Sequence, residues 1–250
     1  MVKKAVLVIV VSLVVLGSVF AGGRREAGNT IVFATDATWP PMEFVNEDRE
    51  IVGFDIDMIR AAAEAAGFQA EFRNTAWDGI FAGLATGEYD AVVSSVTITE
   101  DRKETMDFSI PYINAGQVLI VQMGEQGVST LADLSGREVG AQIGTTGAFE
   151  VDKVAGVTLR TYDEIGLAVE DLANGRIAGV VADTPIAADF VLQNENYSAR
   201  LKIVGEPFTE EFYGVAVRKG NAAVLDRVND GLQKIIDSGR MEELKDKWLR

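Results

Sequence analysis

The chain of 250 residues contains neither cysteine nor histidine. Without cysteine there is no disulfide, and no thiol for the lipid anchor of a bacterial lipoprotein. Ser-His-Asp and Cys-His nucleophile systems are excluded, as are zinc sites built on imidazole or thiolate. Any catalysis would rest on carboxylates, lysine or tyrosine. There is no Walker-type glycine loop and no GxGxxG after a strand, so nucleotide binding has no support. Cations are also scarce. The 23 Lys and Arg face 38 Asp and Glu, a net charge of −15 that repels phosphate backbones and anionic lipid and sets nucleic acid aside as a partner. The same acidity serves solubility and does not by itself choose a ligand.

Long apolar runs are limited to one, Ala5 to Phe20, preceded by Lys3 and Lys4. At 16 residues it is shorter than a bilayer-crossing helix, which needs roughly 20. With Val19-Phe20-Ala21 behind it, it reads as a secretory signal over residues 1–21, cleaved after Ala21. Cleavage would take the net charge to −17 and leave residues 22–30 as a flexible, glycine-containing leader. The alternative is an uncleaved anchor carrying a sensor or interaction domain.

From Ile31 onward, short apolar runs alternate with helical patterns. Ile31 to Ala34, Ala70 to Phe72 and Ala91 to Val93 read as strands, and Asp55 to Ala66 and Trp77 to Ala85 as helices. In the first helix Ile56, Ile59, Ala63 and Ala66 form a stripe, with Asp55 as the expected cap and Gly67 as the stop. A second alternating set runs through Val118 to Val121, Glu138 to Ala141, Val157 to Leu159, Glu164 to Asn174, Ala178 to Ala182 and Thr184 to Leu192. Helices follow Asn221 and Gly239 at the C-terminal end. This pattern predicts an α/β fold of βαβ units on mostly parallel sheets, in two lobes. No Pro-rich or Gly/Ser-rich tether separates the two sets, so short crossings must join them.

The polar residues that stand out follow predicted strands, where open α/β sheets bind ligands. After the first strand, two prolines fix a loop that could present Asp36 and Trp39 to a cleft, or simply form a turn and lobe packing. After Val93, the hydroxyls and N–H groups of Ser94, Ser95 and Thr97, with the Arg102 guanidinium, suit a carboxylate. The structural alternative is a helix cap with Arg102 paired to a surface glutamate. In the second set, Gly144-Thr145-Thr146-Gly147 follows a strand and opens a helix, and Asp183 follows Ala182 where an acid could meet an ammonium group or cap the next helix.

The ordered motifs Thr35-Asp36-Ala37-Thr38-Trp39-Pro40-Pro41-Met42-Glu43-Phe44, Val52-Gly53-Phe54-Asp55-Ile56-Asp57 and Tyr89-Asp90-Ala91-Val92-Val93-Ser94-Ser95-Val96-Thr97-Ile98-Thr99 carry a resemblance. With Arg102, Phe108-Ser109, Pro111-Tyr112 and Tyr213 to Val217, the chain from Ile31 resembles the polar amino-acid-binding family of bacterial extracellular solute-binding proteins, family 3. The resemblance implies a type II periplasmic-binding-protein fold, its ligand cleft between lobes joined by two hinge strands. Residues 31–113 and 211–250 would form a discontinuous first lobe, 118–206 the second, and 114–117 and 207–210 the crossings.

It implies further that Arg102 binds the ligand carboxylate, helped by Thr97 and Thr146, while Asp183 and the Ser95 carbonyl take the α-ammonium. Trp39 and Trp77 would sandwich the side chain and Asp36 would face its polar end. Gln142 stands where some relatives carry an apolar residue, and Gly147 where relatives can carry a polar one.

The expected function is capture of a free L-amino acid and delivery to the membrane permease of an ABC importer. The binder would act outside the cytoplasmic membrane as a monomer, without metal or organic cofactor. Asp36 ranks basic amino acids (arginine, lysine, histidine) first, glutamine second and other polar ones third. The competing class is an exported dehydratase-like enzyme on the same scaffold.

Overall fold

The computed structural model describes residues 29–249. The expected signal over 1–21 and residues 22–28 of the expected leader lie outside them. The chain opens with β1 (Thr30–Thr35), followed by three short strands, β2 (Thr38–Trp39), β3 (Glu43–Val45) and β4 (Ile51–Val52). Thr30, assigned to the leader from sequence, is instead in β1, where it pairs with Gln69.

Helix α1 (Phe54–Ala66) buries Ile56, Ile59, Ala62 and Ala63, and ends at Gly67 in the left-handed conformation that glycine adopts without a Cβ clash. Its start differs from expectation. Gly53, not Asp55, is the N-cap, and Asp55 lies fully buried in the first turn with its carboxylate turned to other partners. Gly53 is required here: φ is 131°, and a Cβ would stand 2.2 Å from the Met42 carbonyl oxygen.

Next come β5 (Gln69–Asn74), α2 (Ile80–Thr86), β6 (Ala91–Val92), α3 (Glu100–Thr105) and β7 (Met106–Phe108). Trp77, expected inside a helix, precedes α2 by one turn. The first crossing follows β8 (Ile113–Asn114) and enters β9 (Gln117–Gln122). The second lobe continues with a 3-10 turn at Leu131–Leu134, then β10 (Glu138–Gln142), α4 (Thr146–Asp152), β11 (Thr158–Tyr162), α5 (Ile165–Ala173), β12 (Gly179–Asp183) and α6 (Thr184–Ala188). After α6 the helix widens to a π turn over Asp189–Gln193 and β13 (Leu201–Val204) closes the sheet. The chain then returns through β14 (Phe212–Tyr213) to β15 (Ala216–Arg218), α7 (Ala222–Asp237) and α8 (Arg240–Trp248).

Two five-stranded sheets result, in the orders β5-β1-β6-β15-β7 and β11-β10-β12-β9-β13. Each has three parallel strands and then an antiparallel one. In the first lobe that strand is β15, from after the second crossing, and in the second it is β9, which continues the first crossing. Neither sheet is completed without a strand adjoining a crossing, so the lobes are built on the crossings rather than tethered by them.

The crossings run side by side. Asn114 and Ile113 pair with Phe212 and Tyr213, Ala115 N donates to the Glu211 carbonyl at 2.7 Å, and Phe208 N donates to the Gln117 carbonyl at 2.9 Å. Gln117, grouped by sequence with the crossing, is the first residue of β9. Among the described residues no helix is long and apolar enough to cross a membrane.

Candidate ligand-binding site between the lobes

The carboxyl ends of β1 and β6 face those of β10 and β12. At the first of these ends the Asp36 backbone N donates to Ser94 Oγ at 3.0 Å, coupling the two loops of the first lobe. Asp36 Oδ1 accepts from Thr38 Oγ1 at 2.9 Å, and Oδ2 accepts from Gln142 Nε2 of the second lobe at 2.8 Å. Asp36 is thus both a turn residue and a cleft residue. Burial raises its pKa, and the Gln142 and Thr38 hydrogen bonds act against that.

Arg102 lies in α3, whose N-cap Thr99 accepts from the Arg102 backbone N. The hydroxyl cap expected as an alternative is therefore present, but among the described residues no surface glutamate pairs with Arg102. Instead Arg102 Nη1 donates to the Thr97 carbonyl at 2.8 Å and Nη2 to the Gly144 carbonyl of the other lobe at 3.3 Å. The guanidinium carbon stands 5.6 Å from the Trp77 ring centre and 5.2 Å from that of Phe81. Burial lowers its pKa to about 10, which the Asp183 and Glu211 carboxylates partly offset. It stays charged near neutrality. With two carbonyls engaged, a five-donor guanidinium keeps N–H groups for an incoming carboxylate.

From the second lobe, Thr145 caps α4 by accepting from Ala148 N at 3.2 Å, and Thr146 begins the helix. Thr146 Oγ1 lies 3.4 Å from Thr97 Oγ1, so the two hydroxyls meet across the cleft. Asp183 ends β12 and occupies the N-cap position of α6, but its side chain makes no cap hydrogen bond and accepts from Gln117 Nε2 instead. Burial first, and the neighbouring Glu211 charge second, push its pKa up to about 7. Ser95 has φ 49°, a left-handed backbone unusual for a residue with a side chain.

Asp36, Trp39, Trp77, Ser94, Ser95, Thr97, Arg102, Gln142, Thr146 and Asp183, all singled out from sequence, line one cavity together with Thr145. The space between these side chains, part of it open to solvent, is ≈ 310 Å³. Trp39 also packs in the main core, 6% exposed, so its packing and cleft roles coexist. Among the described residues no cluster of acids could hold a metal ion.

Sequence reasoning missed three supports. Glu211, beside the second crossing, accepts from Thr146 Oγ1 at 2.6 Å, Thr97 Oγ1 at 3.0 Å and Gln117 Nε2 at 3.4 Å through Oε2. Glu43 accepts from Ser94 Oγ at 2.9 Å and Ser95 Oγ at 3.3 Å. Gln117 Nε2 ties Asp183 and Thr146 together. Polar residues inside short crossings, and an acid between Met42 and Phe44, were the available signals.

The family model of bacterial extracellular solute-binding proteins, family 3, matches residues 31–250. A probable histidine-binding protein of Neisseria gonorrhoeae is 37% identical over 92% of this chain and 86% of its own length. Among solved structures, an ancestral arginine-binding protein bound to arginine superposes with a TM-score of 0.84 at 41% identity, covering 89% of this chain and 99% of that one. The arginine-, lysine-, histidine-binding protein ArtJ of Geobacillus stearothermophilus gives 0.80 at 34%, covering 88% and 95%. Two lobes joined by paired crossings, a charged cavity between them and a match over nearly the whole described chain agree: this protein belongs to the bacterial extracellular solute-binding proteins, family 3.

Proposed function

We propose that the protein captures a free α-amino acid with a basic side chain between its lobes and presents the closed form to the membrane permease of an ABC importer, outside the cytoplasmic membrane. The observation that carries this reading is the charge pattern of one cavity: the Arg102 guanidinium from the first lobe and two carboxylates, Asp36 and Asp183, one from each lobe. A zwitterion with a cationic side chain complements all three.

In this reading Arg102 takes the α-carboxylate, helped by the Thr97 and Thr146 hydroxyls, which turn to it from Glu211 on binding, and Asp183 with the Ser95 carbonyl takes the α-ammonium. Ser94 and Gln142 support the end of the cavity where Asp36 meets the side chain, and Trp39 and Trp77 provide its aromatic walls. The names of the matched relatives speak of arginine, lysine and histidine but also of cystine and glutamine, so they support an amino-acid ligand and include the basic ones. Glutamine is the second candidate, because Asp36 already accepts an amide hydrogen bond from Gln142 and could accept one from a ligand amide.

Ligand contacts to both lobes would favour closure by their differential affinity for the closed state, with residues 114–117 and 207–210 as the hinge. We read the site as a binder rather than a dehydratase-like enzyme, since each charged group in it has a place in an amino-acid clamp. Calorimetric titration of stripped protein with arginine, and assay of prephenate and arogenate turnover, test the two halves of this reading. Absence of amino-acid binding, or enzyme-dependent loss of either acid, would overturn it.

A further inference from the structure

Behind the Ser94–Ser95 wall of the cavity lie two fully buried carboxyl groups that the proposed clamp does not use, Glu43 of β3 and Asp55 of α1. Asp55 Oδ2 accepts from the Ser95 backbone N and from the Tyr112 hydroxyl, both at 2.8 Å. Asp55 Oδ1 is buried without a donor among the side chains and backbone around it. Glu43 receives the hydroxyls of Ser94 and Ser95, so Ser95 bonds to both carboxyls, its N–H to Asp55 and its hydroxyl to Glu43.

The groups facing the pair are acids or neutral donors. They are Asp36 beside Glu43, Tyr112 on Asp55, and Tyr213, which both carboxyls influence. Among the described residues, no lysine or arginine is among the charges that act on either one. Two adjacent carboxylates cannot both stay ionised in a dry site without a cation, because desolvation and mutual repulsion both oppose it. One proton between them removes the repulsion and gives Asp55 Oδ1 its missing donor.

We propose that Glu43 and Asp55 share one proton and act together as positioning residues, holding the Ser94–Ser95 turn in its binding shape, so that loss of the proton releases this wall of the site. The proton resides on Glu43, since the two hydrogen bonds that favour the charged form of Asp55 are both 2.8 Å, whereas those to Glu43 are 2.9 and 3.3 Å. Burial raises the pKa of both groups, and the Asp55 charge raises that of Glu43 further. The turn needs such a clamp. Ser95 sits at φ 49°, a left-handed conformation that is unfavourable outside glycine, and its N–H and hydroxyl are both tied to the pair.

The effect on binding rests on the amino-acid reading above, whereas the shared proton does not, and the test separates them. Infrared titration of the intact protein should show the carbonyl stretch of a protonated carboxylic acid persisting at pH 8, and Glu43→Gln should remove it. In parallel, arginine affinity is measured from pH 6 to about 9.5 for wild type, Glu43→Gln and Asp55→Asn, each of which supplies a permanent N–H in place of the proton. Wild type should weaken about tenfold more than either variant across the alkaline range, as buried carboxyls titrate with pKa values up to about 8–9. The ligand ammonium also titrates there but is common to all three proteins, so the difference between the curves is the readout. Asp55→Asn stands in if Glu43→Gln does not fold. Absence of the acid band, or superimposable pH profiles, would overturn the proposal. Failure of wild type to bind any amino acid would refute the binding effect while the infrared band still decides the proton.

Discussion

Gln142 Nε2 bonds to Asp36 Oδ2 at 2.8 Å across the cleft and to the Asp163 carbonyl at 2.9 Å, so a neutral amide of one lobe stands against a carboxylate of the other. A cationic side chain entering the cavity must share Asp36 with that amide or displace it. Asp36→Asn should therefore weaken arginine and lysine far more than glutamine. A charge-assisted hydrogen bond is worth about 1.5–3 kcal/mol, or roughly 10- to 150-fold in affinity. Parallel titrations with arginine and glutamine check this, and equal losses for both ligands would remove Asp36 from the selectivity argument.

Arg102 is held by two backbone carbonyls and two aromatic rings, an arrangement lysine cannot copy with a single ammonium point. Arg102→Lys should cost about 2 kcal/mol or more in affinity for every α-amino acid, regardless of side chain. Thermal stability should change little by comparison. Isothermal titration across several amino acids reads the uniformity of the loss. A loss confined to basic ligands would assign Arg102 to the side chain instead.

Asp183 gives the site an acid limb. Its folded pKa of about 7 lies above the usual carboxylate value, so the folded protein holds a proton there that the unfolded chain releases. Stability contributed through this group is greatest at low pH and falls as pH rises toward 7. Ligand binding has the opposite sign, because an ammonium group needs the carboxylate. Affinity should fall by up to about tenfold per pH unit below the Asp183 pKa, with proton uptake by the buffer on binding. Glu211→Gln removes the like charge that helps raise this pKa and should move the acid limb to lower pH. An unmoved limb would detach Glu211 from Asp183.

Gly147 leaves room for Gln117. A Cβ at position 147 would stand 2.7 Å from Gln117 Oε1 and 3.2 Å from Val181 Cγ1. Because Gln117 joins Asp183, Thr146 and Glu211, Gly147→Ala should disturb the clamp more than the fold. A melting temperature lowered by only a few degrees, with roughly tenfold weaker arginine binding, is the expected outcome. A few degrees is the scale of ~1 kcal/mol in a chain of this size. Unchanged binding would place Gln117 outside the site's energetics.

The lobes and part of the cavity were legible in the sequence because strands followed by polar loops mark the carboxyl edge of an α/β sheet, whereas Trp77 and Gln142 were implied only by the family resemblance. Asp36, Ser94 and Thr97 sit past such strands and Asp183 is the last residue of one. What periodicity could not show is partner choice at a distance. Asp55 looks like a helix cap by position, yet its carboxylate bonds Ser95 and Tyr112, residues 40 and 57 positions away. Glu211 is likewise 114 positions from Thr97 and 65 from Thr146. The small sheet of β2, β3 and β4 escaped for another reason: strands of two or three residues carry no detectable alternation.

The most direct test of the account is calorimetric titration of protein unfolded and refolded to strip carried ligand, with arginine, lysine, histidine, glutamine and glutamate in parallel. The charge pattern of Arg102, Asp36 and Asp183 predicts tight binding of arginine or lysine, weaker binding of glutamine and rejection of glutamate. Preference for glutamate, or binding of none of the five, would contradict it.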